Sequence, residues 1–114
     1  MSQHSSLSPE RWSAFGLDQQ ILMIGNEMNR ASQLMGPEDL ASRQRSYERI
    51  LRLVDLTVEV QQRRNFRREL LRWRDLVAAL YTRPEPDPED HRTAFRSLLL
   101  FTPVAARQIP LLLD

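Results

Sequence analysis

The sequence contains no cysteine and only three glycines, and each shortage excludes a class of structure or chemistry. Without cysteine the chain forms no disulfide, no thiolate metal site and no cysteine nucleophile. The seven prolines lie near the ends and in linkers, so the turn signals that a β-sandwich or barrel needs every ~8–12 residues are missing. The composition therefore favours helices.

Long apolar runs are missing as well. No stretch approaches the roughly 20 apolar residues that a transmembrane helix needs. The first eight residues are polar and lack both a basic region and an apolar region of the kind found in secretory signals. We therefore expect no membrane span and no secretory signal, and we expect the protein to work in the cytoplasm.

Lysine does not occur, and all sixteen basic residues are arginine. This bias is typical of coding in a GC-rich bacterium, and it also fits selection for planar, bidentate donors at an interface. Composition alone leaves both interpretations open. The formal net charge is only +1, so no global field draws the chain onto nucleic acid or an anionic membrane.

The length of 114 residues favours one domain, and apolar spacing predicts its helices. Ser8 as N-cap and Pro9 at the first helical position predict a short helix before Gly16. The next helix has apolar residues at alternating intervals of four and three, and Gly36 and Pro37 are expected to close it. This first seam is formed by Leu17, Ile21, Ile24, Met28, Ala31 and Met35.

A wide apolar face predicts a further helix from about residue 38 to 60. A break is expected between residues 62 and 65, although no Gly or Pro marks it and one continuous rod is the alternative. A second seam then follows, formed by Phe66, Leu70, Trp73, Val77 and Leu80.

The C-terminal part begins with a proline-rich linker over residues 82–88. Asp87 is expected to cap a last main helix, which ends at Thr102 and Pro103. The predicted fold is an all-α, antiparallel, up-and-down bundle of about four main helices with a short N-terminal helix and an apolar C-terminal tail. The predicted division is a disordered leader at 1–7, a single domain at 8–103 and the tail at 104–114.

The sequence contains few residues or motifs that could support catalysis or metal binding. The only histidines are His4 and His91, so two imidazoles without cysteine do not make a zinc site, and His91 is expected to pair with Asp87 at the surface. No phosphate-binding or nucleophile motif occurs, and the acidic residues are expected to lie outside both seams. We therefore expect no catalytic residue, no metal and no cofactor.

Charge is segregated along the chain. Residues 43–74 hold ten Arg and four acids, whereas residues 85–90 hold four acids in six positions. The acidic segment could fold back on the Arg face or meet the Arg face of a second copy. The Arg face itself is compatible with a solvated surface, a protein interface or nucleic-acid binding. The candidate binding residues are Arg63, Arg64, Arg67, Arg68, Arg72 and Arg74.

Surplus apolar residues form the second candidate surface. They lie outside the second seam or in the tail. If they are exposed, their apolar surface is larger than a monomer usually leaves open. The alternative is that the tail packs onto its own bundle. The candidate interface residues are Leu71, Leu76, Ile109, Leu111, Leu112 and Leu113.

The sequence thus favours a non-enzymatic, adaptor- or chaperone-like interaction protein that binds a protein partner or associates with itself, as in a homodimer. The alternative is nucleic-acid binding through the Arg63–Arg74 face, with an affinity that falls steeply with salt. A small enzyme or ligand binder with a pocket between helices is the third possibility.

Overall fold

The computed structural model describes residues 7–114, and all regular secondary structure in that part of the chain is helical. The all-α class is therefore confirmed. A short 3₁₀ helix, Pro37–Asp39, precedes α3. The α-helices are α1 (Pro9–Ser13), α2 (Leu17–Ser32), α3 (Leu40–Val60), α4 (Arg64–Thr82), α5 (Pro88–Leu99), α6 (Pro103–Ala106) and α7 (Ile109–Leu112).

The four longest helices, α2 to α5, each contact two of the others. Helix α3 packs against α2 and α4, and α5 also packs against α2 and α4. Helix α1 lies on α3. Most of the predicted leader, residues 1–6, lies outside the described residues, whereas Leu7 packs partly against the core.

The predicted caps and seams account for these helices. The Ser8 hydroxyl accepts a hydrogen bond from the Arg11 N–H, and the Asp87 carboxylate accepts one from the Asp90 N–H. The central residues of both seams are buried, namely Ile21, Ile24, Met28 and Ala31 on α2 and Leu70, Trp73, Val77 and Leu80 on α4.

The predicted break between α3 and α4 is confirmed, one residue before the expected position. Helix α3 ends at Val60, and the backbone is extended at Gln61 and at Arg63. The two helices then pack against each other. Residues 38–82 therefore do not form one rod.

Gly36 plays a role that differs from the one expected. It does not close α2, which ends at Ser32, but stands before the 3₁₀ helix with a negative φ. Gly25 faces α5, where an added Cβ would meet Leu99 at 3.5 Å and Phe95 at 3.6 Å. These are ordinary van der Waals distances, so the packing of α2 on α5 does not require glycine there.

His91 is buried, so its expected surface pair with Asp87 is wrong. Its Nε2 donates to the Met28 carbonyl at 2.8 Å, and its Nδ1 lies 2.8 Å from the Tyr47 hydroxyl. Burial lowers the pKa of His91 below 6.5, an effect only partly offset by the bond to Met28. Burial also raises the pKa of Tyr47 to about 12. His91 and Tyr47 are thus both neutral, and the hydrogen bonds of His91 join α2, α3 and α5.

The lowered pKa of His91 predicts loss of stability in mild acid. As pH falls below 6.5, the unfolded chain binds a proton at His91 that the folded chain does not bind. The free energy of unfolding should therefore fall by up to ~1.4 kcal/mol per pH unit from this group. Urea unfolding at several pH values between 7.5 and 5 measures the slope. His91→Gln, although less stable, should show a shallower slope, and equal slopes in the two proteins would assign the acid sensitivity to other groups.

No helix within residues 7–114 is long and apolar enough to cross a membrane. The same residues contain no group of three or more His, Asp or Glu side chains placed to hold a metal ion.

Candidate interaction surface on helix α4

Helix α4 has one buried side and one side open to solvent. Its buried seam faces α3 and α5, and the Trp73 indole N–H donates to the Ala94 carbonyl of α5 at 2.8 Å. Five of the six candidate arginines are exposed, and Arg74 is partly buried. The α4 periodicity therefore places the Arg-rich face as the sequence predicts.

Two of the six arginines have carboxylate partners among the described residues. Arg74 binds both carboxylate oxygens of Asp55 on α3, at 2.7 and 3.3 Å. The hydrogen bond to Asp55 raises the pKa of the Arg74 guanidinium above its ordinary value. Arg72 pairs with Glu69 at 3.1 Å, one turn away. Arg74 thus joins α4 to α3 and contributes least to the open face.

The other four arginines form the open basic end of α4. Among the described residues, no carboxylate lies within ion-pair distance of Arg63, Arg64, Arg67 or Arg68. The last three line an open groove together with Leu71 and Arg72. Asp75 also lines this groove.

Three exposed leucines lie beside this basic end. Leu71 is 45% exposed, Leu76 is 51% exposed, and Leu100, just after α5, is 62% exposed. The sequence predicts the first two but not Leu100. Apolar spacing in α5 does not distinguish Leu98 and Leu99, which are buried, from Leu100, where the helix ends.

A shallow depression of about 410 Å³ follows the boundary between α4 and α5. Its lining residues include Arg72, Trp73, Leu76, Leu100 and Phe101. A second depression of about 270 Å³ continues along the same boundary and shares Leu76 with the first. We call the exposed surface formed by Leu71, Leu76 and Leu100 the α4–α5 apolar strip.

The far end of the α4–α5 boundary is acidic. Arg83 binds Asp87 at 2.9 Å and Asp90 at 3.1 Å. The backbone N–H of Asp90, and then Arg83, hold the pKa of Asp87 below its ordinary value. The acidic segment therefore pairs with Arg83, which lies outside the Arg63–Arg74 set, and it does not fold back on the Arg face.

The apolar tail separates into buried and exposed residues. Ile109 and Leu113 belong to the hydrophobic core, so they are not available as interface residues. Leu111 is 78% exposed, and Leu112 is also exposed. Leu112 lies beside Pro88 and Arg92, whereas the α4 side of α5 carries Thr93 and Ser97. The tail and the α4–α5 apolar strip are therefore separate surfaces rather than one.

Three buried polar residues have structural roles that apolar spacing did not reveal. The Arg43 guanidinium donates to the Leu34 carbonyl at 2.9 Å and to the Pro84 carbonyl at 3.4 Å. It thereby holds the segments before α3 and after α4. Gln20 bonds the carbonyls that end α1, and Glu27 pairs with Arg49.

Comparisons with protein-family models, with curated proteins and with solved structures found no match for this chain.

Proposed function

We propose that this chain is a non-enzymatic protein-interaction protein, adaptor- or chaperone-like, that associates with itself through the surface of α4 and α5. The proposed setting is the cytoplasm, which suits a chain without cysteine. The proposal rests on the α4–α5 apolar strip.

The strip supports an interface because Leu76 and Leu100 are exposed in the same depression. Leu71 lines the adjoining groove, which shares Arg72 with that depression. Exposed single leucines are ordinary on a soluble domain, but a contiguous apolar patch with a polar rim is typical of a binding surface. Arg72 and Glu69 provide that rim on the α4 side.

Two observations favour a non-enzymatic role. Both ring nitrogens of His91 take part in hydrogen bonds that join helices. The cavity of about 250 Å³ beside His91 is lined mainly by apolar side chains, among them Met35, Phe95 and Leu113. Ser32 also lines this cavity, but its hydroxyl donates to the Asn29 carbonyl and not to His91, so the two do not form a nucleophile–base pair.

We further propose that the four main helices form an antiparallel, up-and-down bundle. The contacts between α4 and α5 support this arrangement. Arg83, after the end of α4, binds Asp90 near the start of α5, whereas Phe66 near the start of α4 packs on Phe101 after the end of α5. The short connection between α3 and α4 fits the same arrangement.

Replacing two leucines of the strip should weaken self-association. In Leu71→Ser/Leu76→Ser, the apolar area buried between copies decreases, and we expect the dissociation constant to rise at least about tenfold. Sedimentation equilibrium over a concentration series measures it. Leu111→Ser is the matched control, because Leu111 is even more exposed but lies in the tail, and it should leave the constant unchanged. A wild-type protein that stays at the monomer mass of 13.4 kDa at every concentration would disprove the proposal.

Deletion of residues 104–114 is a poor test of the interface. The deletion removes Ala105, Ile109 and Leu113 from the core, so a change in mass would also follow from loss of folding. Single substitutions at exposed tail positions avoid this problem.

Nucleic-acid binding is the second candidate function. The observation that favours it is the set of four arginines at the start of α4 that have no carboxylate partner among the described residues, since such cations can contact phosphates. Exposed aromatic side chains, on which bases stack, are not part of the groove that these arginines line. The exposed leucines beside them are better explained by a protein partner.

A further inference from the structure

The surface of α4 and α5 carries opposite charges at its two ends. The basic end consists of Arg63, Arg64, Arg67 and Arg68 at the start of α4. The acidic end consists of the segment 85–90, which Arg83 holds beside the end of α4. Helix α4 has 19 residues, Arg64–Thr82, which correspond to about 28 Å along its axis.

Leu71 and Leu76 lie between these ends, whereas Leu100 directly precedes Phe101, which packs on Phe66 at the basic end. The surface is therefore basic on one side and acidic on the other, with Leu71 and Leu76 in its middle. A second copy placed in the same direction would bring like charges together. A copy turned by 180° would bring each basic end to an acidic end.

We propose that the partner of this surface is a second copy of the chain, related by a twofold axis that passes near Leu71 and Arg72, with the two α4 helices antiparallel. This inference rests on the proposed function and specifies its partner. An axis midway between residues 71 and 72 places Arg68 opposite Asp75 of the other copy. It also places Arg64 opposite position 79, toward the acidic segment.

The free charges on this surface fit the twofold arrangement. Among the described residues, neither Asp75 nor Glu89 has a basic side chain within ion-pair distance, and both are exposed. Arg64 and Arg68 likewise have no carboxylate partner there. Asp75 lines the groove of the basic end and interacts electrostatically with Arg74, whereas Glu89 belongs to the acidic segment. The dimer would bring a further partner of opposite charge to these groups twice, as a self-complementary interface requires.

A charge exchange tests the arrangement. The basic-end variant is Arg64→Glu/Arg68→Glu, and the acidic-end variant is Asp75→Arg/Glu89→Arg. Each variant alone should remain monomeric where the wild type is dimeric, because like charges then meet at both ends of the interface. An equimolar mixture should form a heterodimer, because each altered end then meets an altered end of opposite charge. Sedimentation velocity on each sample measures the mass, and circular dichroism verifies the helix content.

A control with the same change in net charge as the basic-end variant is Arg11→Glu/Arg107→Glu. Both arginines are exposed; Arg11 lies in α1, which packs on α3, and Arg107 follows α6, which packs on α2. This variant should dimerise as the wild type does. The mixture is the decisive sample, because variants that merely misfold would not recover association on mixing.

The remaining outcomes separate the arrangement from the proposed function. If both charge variants dimerise like the wild type, or if the mixture stays monomeric, the twofold arrangement is wrong although self-association stands. A monomeric wild type removes both proposals. If that monomer binds a labelled nucleic-acid duplex and the basic-end variant does not, the occupant of the Arg-rich face is nucleic acid instead.

Discussion

Replacing Trp12 with alanine should lower the free energy of unfolding by about 3–5 kcal/mol, a large share of the roughly 5–15 kcal/mol of a domain this size. Trp12 is fully buried although it lies in α1, a helix of five residues. Its indole N–H donates to the Thr57 hydroxyl of α3 at 2.9 Å, and its ring packs edge-to-face on Phe15. A helix this short has little stability of its own, so this side chain anchors α1 to the rest of the molecule.

Trp12→Phe separates the packing of this anchor from its hydrogen bond. Phenylalanine keeps most of the buried ring and loses the bond to Thr57, whose hydroxyl still donates to the Leu53 carbonyl at 2.8 Å. We expect a loss of about 1 kcal/mol from the missing hydrogen bond, together with a smaller contribution from the lost volume. Chemical denaturation followed by circular dichroism measures both variants. A loss below about 1 kcal/mol in Trp12→Ala would mean that α1 is not docked on α3.

Local signals were sufficient to predict the main helices and several of their ends. Ser8 and Asp87 are N-cap residues followed by proline, and this pair of preferences depends only on neighbouring residues. The 4–3 spacing on α4 likewise predicts which side of that helix is buried. The break between α3 and α4 was also predictable, because residues 61–65 offer no apolar residue to continue the face.

Tertiary packing explains what the sequence did not predict. The sequence placed His91 at the surface because Asp87 lies four residues before it. In the structure, His91 points between α2 and α3, where it donates a hydrogen bond to the Met28 carbonyl and forms another with the Tyr47 hydroxyl. Arg43 was counted with the basic segment, yet it is buried between two connecting segments. Partners that are distant in the sequence give no periodic signal.

Helical spacing likewise predicts only part of the candidate interface. Helical spacing placed Leu71 and Leu76 outside the buried seam, and the structure leaves both exposed. Spacing did not show that Ile109 and Leu113 of the tail turn back into the core, since a short helix such as α7 has no repeating pattern. It also did not reveal Leu100, because the exposure of that side chain depends on where α5 ends.

Glu27 is the clearest case of a residue whose burial the 4–3 spacing predicts wrongly. It lies outside the 4–3 pattern of α2, and the sequence therefore predicts an exposed carboxylate. Helix α2, however, packs on both α3 and α5, so its buried face is wider than one seam. Glu27 is only 4% exposed, and its carboxylate binds Arg49 of α3 at 2.7 Å and lies 3.6 Å from Arg30.

Removing the Glu27 carboxylate should therefore destabilise the fold strongly. In Glu27→Ala, the partly buried guanidinium of Arg49 loses its anion, and we expect a loss of about 2–4 kcal/mol. The matched control is Glu69→Ala, which breaks an exposed pair with Arg72 on α4 and should cost less than about 0.5 kcal/mol. Urea unfolding at neutral pH compares the two, and equal losses would contradict the buried character of the Glu27 pair.

The double variant Glu27→Leu/Arg49→Met shows what the pair itself contributes. Two apolar side chains of similar size remove both charges, so neither remains buried without its partner. We expect the double variant to lie within about 1 kcal/mol of the wild type, far above Glu27→Ala. Such recovery would mean that the pair contributes little net stability. A double variant as unstable as Glu27→Ala would instead mean that the ion pair, with the Arg49 bond to Ser46, stabilises the packing of α2 on α3.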